Sequence, residues 1–571
     1  MITYPVTLLN PFGGALTLSV KTDNTGTSGT NQFTIPHISA GSYDYTVSYD
    51  GTSSTYTGTG GSLTLTFPSG AGTYDIEITG DFPGFYFNNG GDRLKAIELK
   101  DWGSIEYSGS WSGAFFGCAN LDFTATGTAN TAAVTTFVNG FRDCSSTILA
   151  PNLNCTGTTG SNRWMFRECD AMTTAPAYDM GSCTTVEGLF YQCGSLVTVG
   201  DITTNTSLTN CSDMFYQCTS LDDSFVLSET SSVTDFSQMF YQSGVTAATG
   251  LDLSSATNVS NMFFECTSLV TAEITNSSGI TNFTSFFSGC TALTTVTIDT
   301  SGATVTTSMF NGCTSLVTAP AMTLTSVTQA NSMFYNCTSL TGITGTYAFA
   351  AAGCSATQFM RLCTSLTDVP SGLDCSNFTD CTNIFNLNSG FTTVRAIDFS
   401  SATNLTGAFA QTGATSHGTL TTSASLTNCN TLFNSSASIA TLPTITNTSA
   451  VTNFFRAFRG LTATISTVPA YDTSAATNCS GMFENSTGMN GVTMPTFNLG
   501  AMTDGSNMFA GMNMSTASYD DLLVDIELRN SNASVVFHGG NSTYTDPSAA
   551  ATARAALIAD HSWTITDGGA A

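Results

Sequence analysis

Charged side chains are scarce in this sequence, and basic ones are the scarcest. Only 9% of the 571 residues are charged, and 13 Lys and Arg stand against 40 Asp and Glu, which gives a formal net charge of −27. Phosphate backbones and anionic lipid headgroups are bound through clustered Lys and Arg. The composition therefore argues against nucleic acid as a partner and indicates a surface made mainly of Ser, Thr, Asn and Gly.

Long apolar runs are missing as well. No stretch approaches the roughly 18 apolar residues of a membrane-spanning helix, so membrane insertion is not expected. Residues Met1–Asn10 contain neither a basic leader nor an apolar core long enough for a signal peptide. An external protein without such a signal is expected to be a virion component released by lysis, a mature form whose leader has been removed, or a substrate of signal-independent secretion.

The spacings that bind metal ions are also absent. The 18 Cys include no C-x-x-C pair, and His37, His417, His538 and His561 are far apart in the sequence. A zinc site requires Cys and His ligands at short, fixed spacings. The sequence therefore predicts neither a zinc site nor another cofactor.

What the chain does contain is a repeat, of which Asn258–Leu269 is a representative copy. Aligned on an aromatic residue three positions before a Cys, the repeat occurs seventeen times at intervals of 23 to 26 residues. Units of this size bury their apolar face only against the next unit, so this period predicts a solenoid. The anchor positions are Phe115, Phe141, Phe166, Phe190, Phe215, Phe240, Phe263, Phe287, Phe310, Phe334, Met360, Phe385, Phe409, Phe433, Phe458, Phe483 and Phe509.

Each coil of the solenoid is predicted to contain a short helix and a short strand. Apolar residues four and one before the anchor, at the anchor and three after it follow the period of one helical face, as in Val259, Met262, Phe263 and Cys266. The alternation within residues 293–298 predicts a strand. The expected fold is an α/β repeat solenoid, a leucine-rich-repeat-like stack of strand and helix coils.

The Cys three residues after the anchor has two interpretations. A metal site or disulfide framework is one; an interior ladder of small, weakly polar side chains is the other, and it is favoured because Asn388, Thr412, Ser436 and Ser486 take the same place in later copies. The structural anchors that we predict are Phe190, Cys193, Phe215, Cys218, Phe263, Cys266, Phe287, Cys290, Phe310, Cys313, Phe334 and Cys337.

The regions outside the repeat differ from it in pattern. We divide the chain into an N-terminal strand and loop segment (1–31), a small all-β sandwich (32–82), a linker and N-terminal cap (83–110), the solenoid (111–514) and a C-terminal α/β cap (515–571).

Two groups of charged residues near the N-terminus have competing interpretations. Asp44, Asp50 and Asp75 either bind calcium or are solvated turn carboxylates, and the second interpretation is favoured. Arg93, Lys95 and Lys100 form either an attachment patch or a charged, solvated turn.

The Met-Phe-x-x-Cys-Thr-Ser-Leu repeat, from about Leu94 to Met514, resembles that of the BspA-type leucine-rich-repeat surface proteins, which have a mycoplasma-lipoprotein-type repeat of about 25 residues. Residues 41–79 are similar to a PKD-like domain, with Ser48-Tyr-Asp-Gly51 in place of Trp-Gly-Asp-Gly, a departure that weighs against a calcium role. Residues 87–95 and 541–569 are similar to segments of repeat proteins of bacteriophages and marine bacteria. The resemblance implies a right-handed solenoid, surface adhesion and no catalytic residues.

Adhesion is the function that the sequence favours, by an exposed virion fibre or, alternatively, an extracellular or bacterial cell-surface protein. The expected partner is a host cell-surface glycan or protein, with other virion proteins bound through the N-terminal region. Candidate contacts are the outward strand residues Thr271, Glu273, Thr295 and Thr297, which are otherwise plain solvated positions. The structural alternative is a fibre or decoration protein that self-assembles as a homo-oligomer.

Catalysis is not expected. Glycoside hydrolysis requires two carboxylates that flank one bond. The available pairs, Asp222 with Asp223 and Asp520 with Asp521, are adjacent in sequence, and neighbouring strand residues face opposite ways.

Overall fold

The computed structural model describes residues 14–39, 41–221 and 227–571, and the chain divides into two compact units, Met1–Ser277 and Ser278–Ala571. The strands of the first unit are β1 Leu16–Lys21, β2 Gln32–Pro36, β3 Ser42–Tyr49, β4 Thr52–Thr59, β5 Ser62–Thr66, β6 Thr73–Asp81, β7 Ala96–Asp101, β8 Ser108–Ser110, β9 Asp122–Phe123, β10 Ala133–Thr136, β11 Thr174–Ala175, β12 Tyr178–Asp179, β13 Thr198–Val199, β14 Ile202–Thr203, β15 Ala247–Ala248 and β16 Thr271–Ile274.

A six-stranded sheet in the order β4-β3-β6-β1-β7-β9 forms the N-terminal part of the first unit. All of its pairs are antiparallel except that of β7 with β9. The antiparallel pair β2-β5 lies beside it, and Phe67, just after β5, contacts Tyr49 and Tyr74 of the larger sheet with ring centroids 5.2 and 4.5 Å apart. The predicted domain boundaries after residues 31 and 82 separate strands of this one sheet. Strand β1 precedes the first boundary and β7 follows the second.

Beyond this sheet the first unit is a β-solenoid whose short strands pair in parallel one coil apart. Strand β11 pairs with β13, β12 with β14, and β15 with β16. Trp102 is buried and contacts Trp111 and Phe123 at the start of the stack. The first coils are thereby closed by aromatic side chains from the preceding segment.

The second unit is also a β-solenoid, followed by two helices. Its parallel pairs include β18 with β19, β22 with β24 and β23 with β25. Its strands are β17 Thr295–Ile298, β18 Thr318–Ala319, β19 Gly342–Ile343, β20 Cys354–Ser355, β21 Phe378–Asp380, β22 Thr393–Val394, β23 Ile397–Phe399, β24 Ser416–His417, β25 Leu420–Thr422, β26 Val536–His538 and β27 Thr564–Thr566, and its helices are α1 Thr516–Arg529 and α2 Ala549–His561.

The α-helices have the N-caps that their sequences indicate. Ser515 accepts a hydrogen bond from Ser518 N at the start of α1, and Ser548 accepts from Ala550 N and Ala551 N at the start of α2. Among the residues that the structure describes, neither these helices nor the two 3₁₀ segments, Arg93–Lys95 and Thr487–Met489, are long and apolar enough to cross a membrane.

The short helix predicted at each anchor is wrong; the described anchor segments are runs of turns. In the coil of Phe190, Gly188 and Gln192 have φ of +57° and +59°, in the left-handed region that interrupts a helix. Their N–H groups and that of Phe190 donate to the next coil, to Ser212 O, Tyr216 O and Met214 O at 2.9, 2.7 and 2.9 Å. The apolar pattern that resembles a helix therefore marks inward positions of a turn segment bonded to its neighbour.

The anchor side chains stack along the interior of each unit. Ring centroids are 5.4 Å apart between Phe166 and Phe190 and 5.6 Å apart between Phe190 and Phe215, with planes within 13° of parallel. In the second unit Phe310 and Phe334 are 5.4 Å apart with planes 1° from parallel. The repeated Phe is thus buried against its equivalents in neighbouring coils.

All 18 Cys are free and buried. Cys193 Sγ donates to Phe166 O, and Cys218 Sγ to Phe190 O, both at 3.0 Å, so the thiol bonds the anchor carbonyl of the preceding coil. Asn388 Nδ2 bonds Met360 O at 3.0 Å and Ser436 Oγ bonds Phe409 O at 2.8 Å in the same way. A small side chain with a hydrogen-bond donor at this position links consecutive coils, which explains how Asn and Ser can replace Cys.

Candidate functional site

The outer face of the anchor segments in the first unit carries a column of aromatic rings. Tyr191, Tyr216, Tyr241 and Phe264 directly follow their anchors, are half-buried, and stack at centroid distances of 4.5, 4.6 and 4.9 Å. Their planes are within 12° of parallel. Because the ring faces cover one another, this aromatic column presents ring edges and phenol hydroxyls to solvent.

An amide column lies next to the aromatic column. Gln192 Nε2 donates to Gln217 Oε1, Gln217 Nε2 to Gln242 Oε1, and Gln242 Nε2 to Glu265 Oε2, at 2.7, 2.7 and 2.6 Å. All four residues have positive φ, between +52° and +59°. Hydrogen bonding from coil to coil fixes these side chains in register, which leaves the remaining amide hydrogens and oxygen lone pairs directed outward.

The basic residues of the first unit's solenoid gather around one tryptophan. The guanidinium carbons of Arg142, Arg163 and Arg167 lie 5.7, 3.6 and 5.2 Å from the Trp164 ring centroid. Trp164 has a φ of +59°, which is rare for a bulky residue. Gly188 makes room for the ring, since a Cβ there would lie 2.4 Å from Trp164 Cδ1.

Each of these arginines also has a carboxylate neighbour. Arg163 Nη2 is 2.8 Å from Glu187 Oε1 and Arg167 Nη2 is 2.7 Å from Glu168 Oε1, while Arg142 Nε lies 3.8 Å from Asp143 Oδ1. The positive charge is therefore compensated within the cluster, which gives an anionic ligand little to bind.

An open groove of about 770 Å³ runs beside the amide column. It is acidic, and the pKa of Asp143 is raised to about 6 by burial and by hydrogen bonding and charge repulsion with Glu168. Burial, together with Glu187 and Asp235, likewise raises the pKa of the nearby Asp213 to about 6. The groove is lined by Ala119, Asp143, Ser145, Glu168, Asp170, Gln192, Gly194, Ser195, Gln217 and Thr219.

These raised values predict a pH dependence of stability. A carboxyl group whose folded-state pKa exceeds its ordinary value binds its proton more tightly in the folded state, so stability falls as pH rises from about 4 to about 6. We expect Asp143→Asn, which cannot ionise, to stabilise the protein by about 1 kcal/mol at pH 7.5 and not at pH 4. Solvent reaches 30% of the Asp143 side chain, and its screening limits the gain.

Thermal unfolding at both pH values checks this prediction. Asp179→Asn is the matched control, because Asp179 is exposed in the same unit and accepts one hydrogen bond from Gly181 N at 3.0 Å. Equal melting temperatures for Asp143→Asn and the wild type at pH 7.5 would contradict the prediction.

The residues that we predicted as ligand contacts lie on strands outside this groove. Thr271 and Glu273 are exposed on β16 with Ala272 and Ile274 buried between and after them. In the second unit, Thr295 and Thr297 are exposed on β17. Alignment of the copies one and two positions after the anchor is the signal that would have found the aromatic and amide columns.

Each of the three candidate calcium ligands has its own hydrogen-bond partners. Asp44 accepts from Thr57 Oγ1, Asp50 from Ser69 N and Oγ, and Asp75 from Ser19 Oγ and Lys100 Nζ. Within residues 14–39, 41–221 and 227–571, no three His, Cys, Asp or Glu are grouped so as to hold a metal ion.

The basic and acidic residues of the remaining predictions are dispersed. Lys95 is buried, so both interpretations, the attachment patch and the solvated turn, are wrong for this residue, whereas Lys100 is exposed. Asp520 and Asp521 lie on α1 rather than on a strand, and Asp520 accepts from Thr545 N at 2.9 Å. Asp222 and Asp223 lie outside the described residues.

A protein-family model described as mycoplasma protein of unknown function, DUF285, matches residues 160–276, 244–347 and 403–522 of this chain. No curated protein matches the chain.

Two crystal structures are similar to parts of the chain. A leucine-rich cell surface protein from Faecalibacterium prausnitzii is 16% identical, with a TM-score of 0.29, over 60% of this chain and 78% of that protein. A leucine-rich-repeat protein from Bacteroides ovatus is 18% identical, with a TM-score of 0.25, over 51% of this chain and 82% of that protein.

Proposed function

The chain belongs to the DUF285 family of repeat proteins, and from that premise we propose that it is a non-enzymatic, surface-exposed adhesion protein that binds a hydroxyl-rich ligand, such as a glycan of a host cell surface. The observation that carries the proposal is the pair of columns in the first unit, where phenol hydroxyls and amides recur once per coil. Parallel coils repeat at about 4.8 Å, so the columns offer a regular series of hydrogen-bonding groups to a polymer.

The negative charge of the groove favours some classes of glycan over others. Asp143, Glu168 and Asp170 line it, and the nearest guanidinium groups are already paired with carboxylates. An anionic polymer would bring like charges together. A neutral or amino-bearing glycan is therefore the favoured ligand class.

Binding without cleavage is favoured by the resemblance of the repeat to that of the BspA-type surface proteins, which implies no catalytic residues.

An exposed virion fibre is the setting that we favour, with an extracellular or bacterial cell-surface location as the alternative. Its support is the neutral polar composition and the similarity of residues 87–95 and 541–569 to segments of phage repeat proteins. In this proposal the N-terminal sheet is the PKD-like domain, through which the protein attaches to its particle.

A glycan array probed with the purified protein tests the proposal. We expect retention on neutral or amino-bearing glycans, and a five- to tenfold weaker Kd for Gln217→Asn, because the shorter amide loses about 1 kcal/mol of hydrogen bonding. Gln411→Asn is the matched control, since Gln411 occupies the equivalent position in the second unit and also has a positive φ, +56°. No retention on any glycan or host-envelope preparation would overturn the proposal.

A further inference from the structure

The six-stranded sheet of the first unit has an open edge at strand β4. Within the described part of the chain, β4 pairs with β3 on one side and with no strand on the other. The opposite edge strand, β9, is followed by the next coil, whose Ile148 N donates to Asp122 Oδ1 at 3.2 Å. An open edge presents unpaired N–H and C=O groups to any strand that can pair with it.

This edge is long and regular. Strand β4 pairs with β3 over all eight of its residues, from Thr52 opposite Tyr49 to Thr59 opposite Ser42, without a register shift. In an antiparallel ladder every second residue directs its N–H and C=O to the same side, so about four residues of β4 direct both groups outward. Neither a bulge nor a proline interrupts them.

The charges of the sheet are distributed in the reverse of the way that keeps an edge free. Natural proteins protect open edges with charged residues, especially lysine, with proline or with bulges. Strand β4 has no charged residue, whereas each of the other five strands of this sheet has at least one. In a chain with a net charge of −27, two copies can therefore meet along β4 without like charges on the paired strands.

The edge strand is fixed by packing on its inner face. Tyr56 stacks on Tyr45 with ring centroids 5.9 Å apart, and its ring lies 4.4 Å from that of His37. The Tyr56 hydroxyl donates to Gly60 O at 2.6 Å. Because β4 is already ordered by these contacts, pairing with another strand costs less conformational entropy.

The outer face of β4 is complementary to itself. Ser53, Thr55, Thr57 and Thr59 are exposed, and an antiparallel copy of the strand places these residues opposite one another. Cross-strand pairs of Thr with Thr or Ser stabilise sheets through their hydroxyl groups. Antiparallel pairing of a strand with itself also has two-fold symmetry, so the interface closes at two copies.

We propose that β4 joins two copies of this chain into a dimer. The two β4 strands pair antiparallel about a two-fold axis near the middle of the strand, which places Thr55 opposite Thr55 or Thr57 of the second copy. The two sheets then form one continuous sheet, with six strands from each copy. One pair of strands buries less surface than a standard protein interface, so we expect dissociation in the micromolar range. The proposal does not depend on the ligand of the acidic groove.

Analytical ultracentrifugation of the full chain over a range of concentrations, combined with hydrogen exchange of residues 52–59, tests the proposal. We expect a monomer–dimer equilibrium, with slower exchange in about half of these N–H groups where the dimer forms. Thr55→Lys should weaken dimerisation about tenfold or more, because two ammonium groups lie close together between the copies.

Thr79→Lys is the matched control. Thr79 is exposed and lies in the same row and on the same face as Thr55, since both residues are opposite Thr46 of β3, but it belongs to β6, which lies between β3 and β1. This variant should dimerise as the wild type does. Hydrogen exchange of β1 and β3 shows that both variants remain folded.

Four results would overturn the proposal. The full chain could remain monomeric over the whole concentration range. A dimer could form without slower exchange in residues 52–59, in which case it uses another surface. Slow exchange of these residues could persist where only the monomer is present, which would show that the edge is covered within one chain. The two substitutions could also weaken dimerisation equally, which would show that the edge strand is not the contact.

Discussion

Replacing Asp92 with alanine is expected to destabilise the first unit by about 3–5 kcal/mol, as does the loss of one member of a buried ion pair elsewhere. Asp92 is 1% exposed, and its carboxylate accepts hydrogen bonds from Thr27 N, Ser28 N and Thr34 N at 2.8, 3.0 and 2.7 Å. These donors belong to the loop after β1 and to β2, about sixty residues before Asp92 in sequence. Removal of the carboxylate leaves all three N–H groups without their partner.

The same substitution isolates a buried ammonium group. Lys95 is 1% exposed and its Nζ donates to Ser28 O, Gly29 O and Gln32 O at 3.1, 2.9 and 3.0 Å, with Asp92 Oδ1 at 3.9 Å. Burial alone would raise the pKa of Asp92, but hydrogen bonds from Ser28 and Thr34 and the charge of Lys95 lower it. Asp92 is therefore ionised at neutral pH, and its negative charge compensates the buried ammonium group of Lys95.

Chemical unfolding of the full chain at pH 7 measures the loss. Asp50→Ala is the matched control: Asp50 also holds a loop, by accepting from Ser69 N and Oγ at 2.8 Å, but it is half-exposed, and we expect a cost of about 1 kcal/mol or less. Asp92→Ala/Lys95→Met should recover part of the loss, because no buried charge remains. Equal costs for Asp92→Ala and Asp50→Ala would show that the buried pair is not the main link.

The buried pair illustrates what the sequence does not reveal. The sequence leaves two interpretations of Lys95, an attachment patch and a charged, solvated turn, and both of them expose the side chain, as is usual for lysine. Its acceptors are backbone carbonyls of residues 28, 29 and 32. Every residue has a backbone carbonyl, so the residue types do not show which carbonyls bind a lysine. The repeat behaves differently, because Phe at a fixed interval specifies both the stacking partner and its direction. The solenoid and the repeat family were accordingly predicted and are confirmed.

The wrong prediction of a short helix at each anchor also has a local cause. The turn segment around Phe190 and a helix place apolar residues at the same spacing, and the two differ in the backbone of Gly188 and Gln192. Residues two before and two after the anchor are often Gly, Asn, Gln or Ser, of which Gly and Asn favour left-handed φ. These residue types at the two positions are visible when the copies of the repeat are aligned. The position two after the anchor is also that of the amide column, whose role as a ligand surface is proposed above and was not predicted from the sequence.

The interior of the second unit depends on Phe310. The ring is fully buried, stacks on Phe287 and Phe334 at 5.6 and 5.4 Å, and its carbonyl accepts from Cys337 Sγ at 3.0 Å. We expect Phe310→Ala to destabilise the second unit by about 3–5 kcal/mol, from lost burial and from the cavity between two rings. Phe310→Leu should cost less than half as much, because it fills most of that space.

Coils of a solenoid contribute mainly through contacts with their neighbours, so the damage from Phe310→Ala should concentrate in the adjacent coils of the second unit. Hydrogen exchange of the full chain shows which coils are destabilised, and denaturant unfolding measures the loss in free energy of unfolding. Asn311→Ala, one position further along the same turn and half-exposed, is the control, with an expected cost below about 1 kcal/mol. If the two substitutions cost the same, the stacked rings are not what joins these coils, and the hydrogen bonds between anchor segments must supply the stability instead.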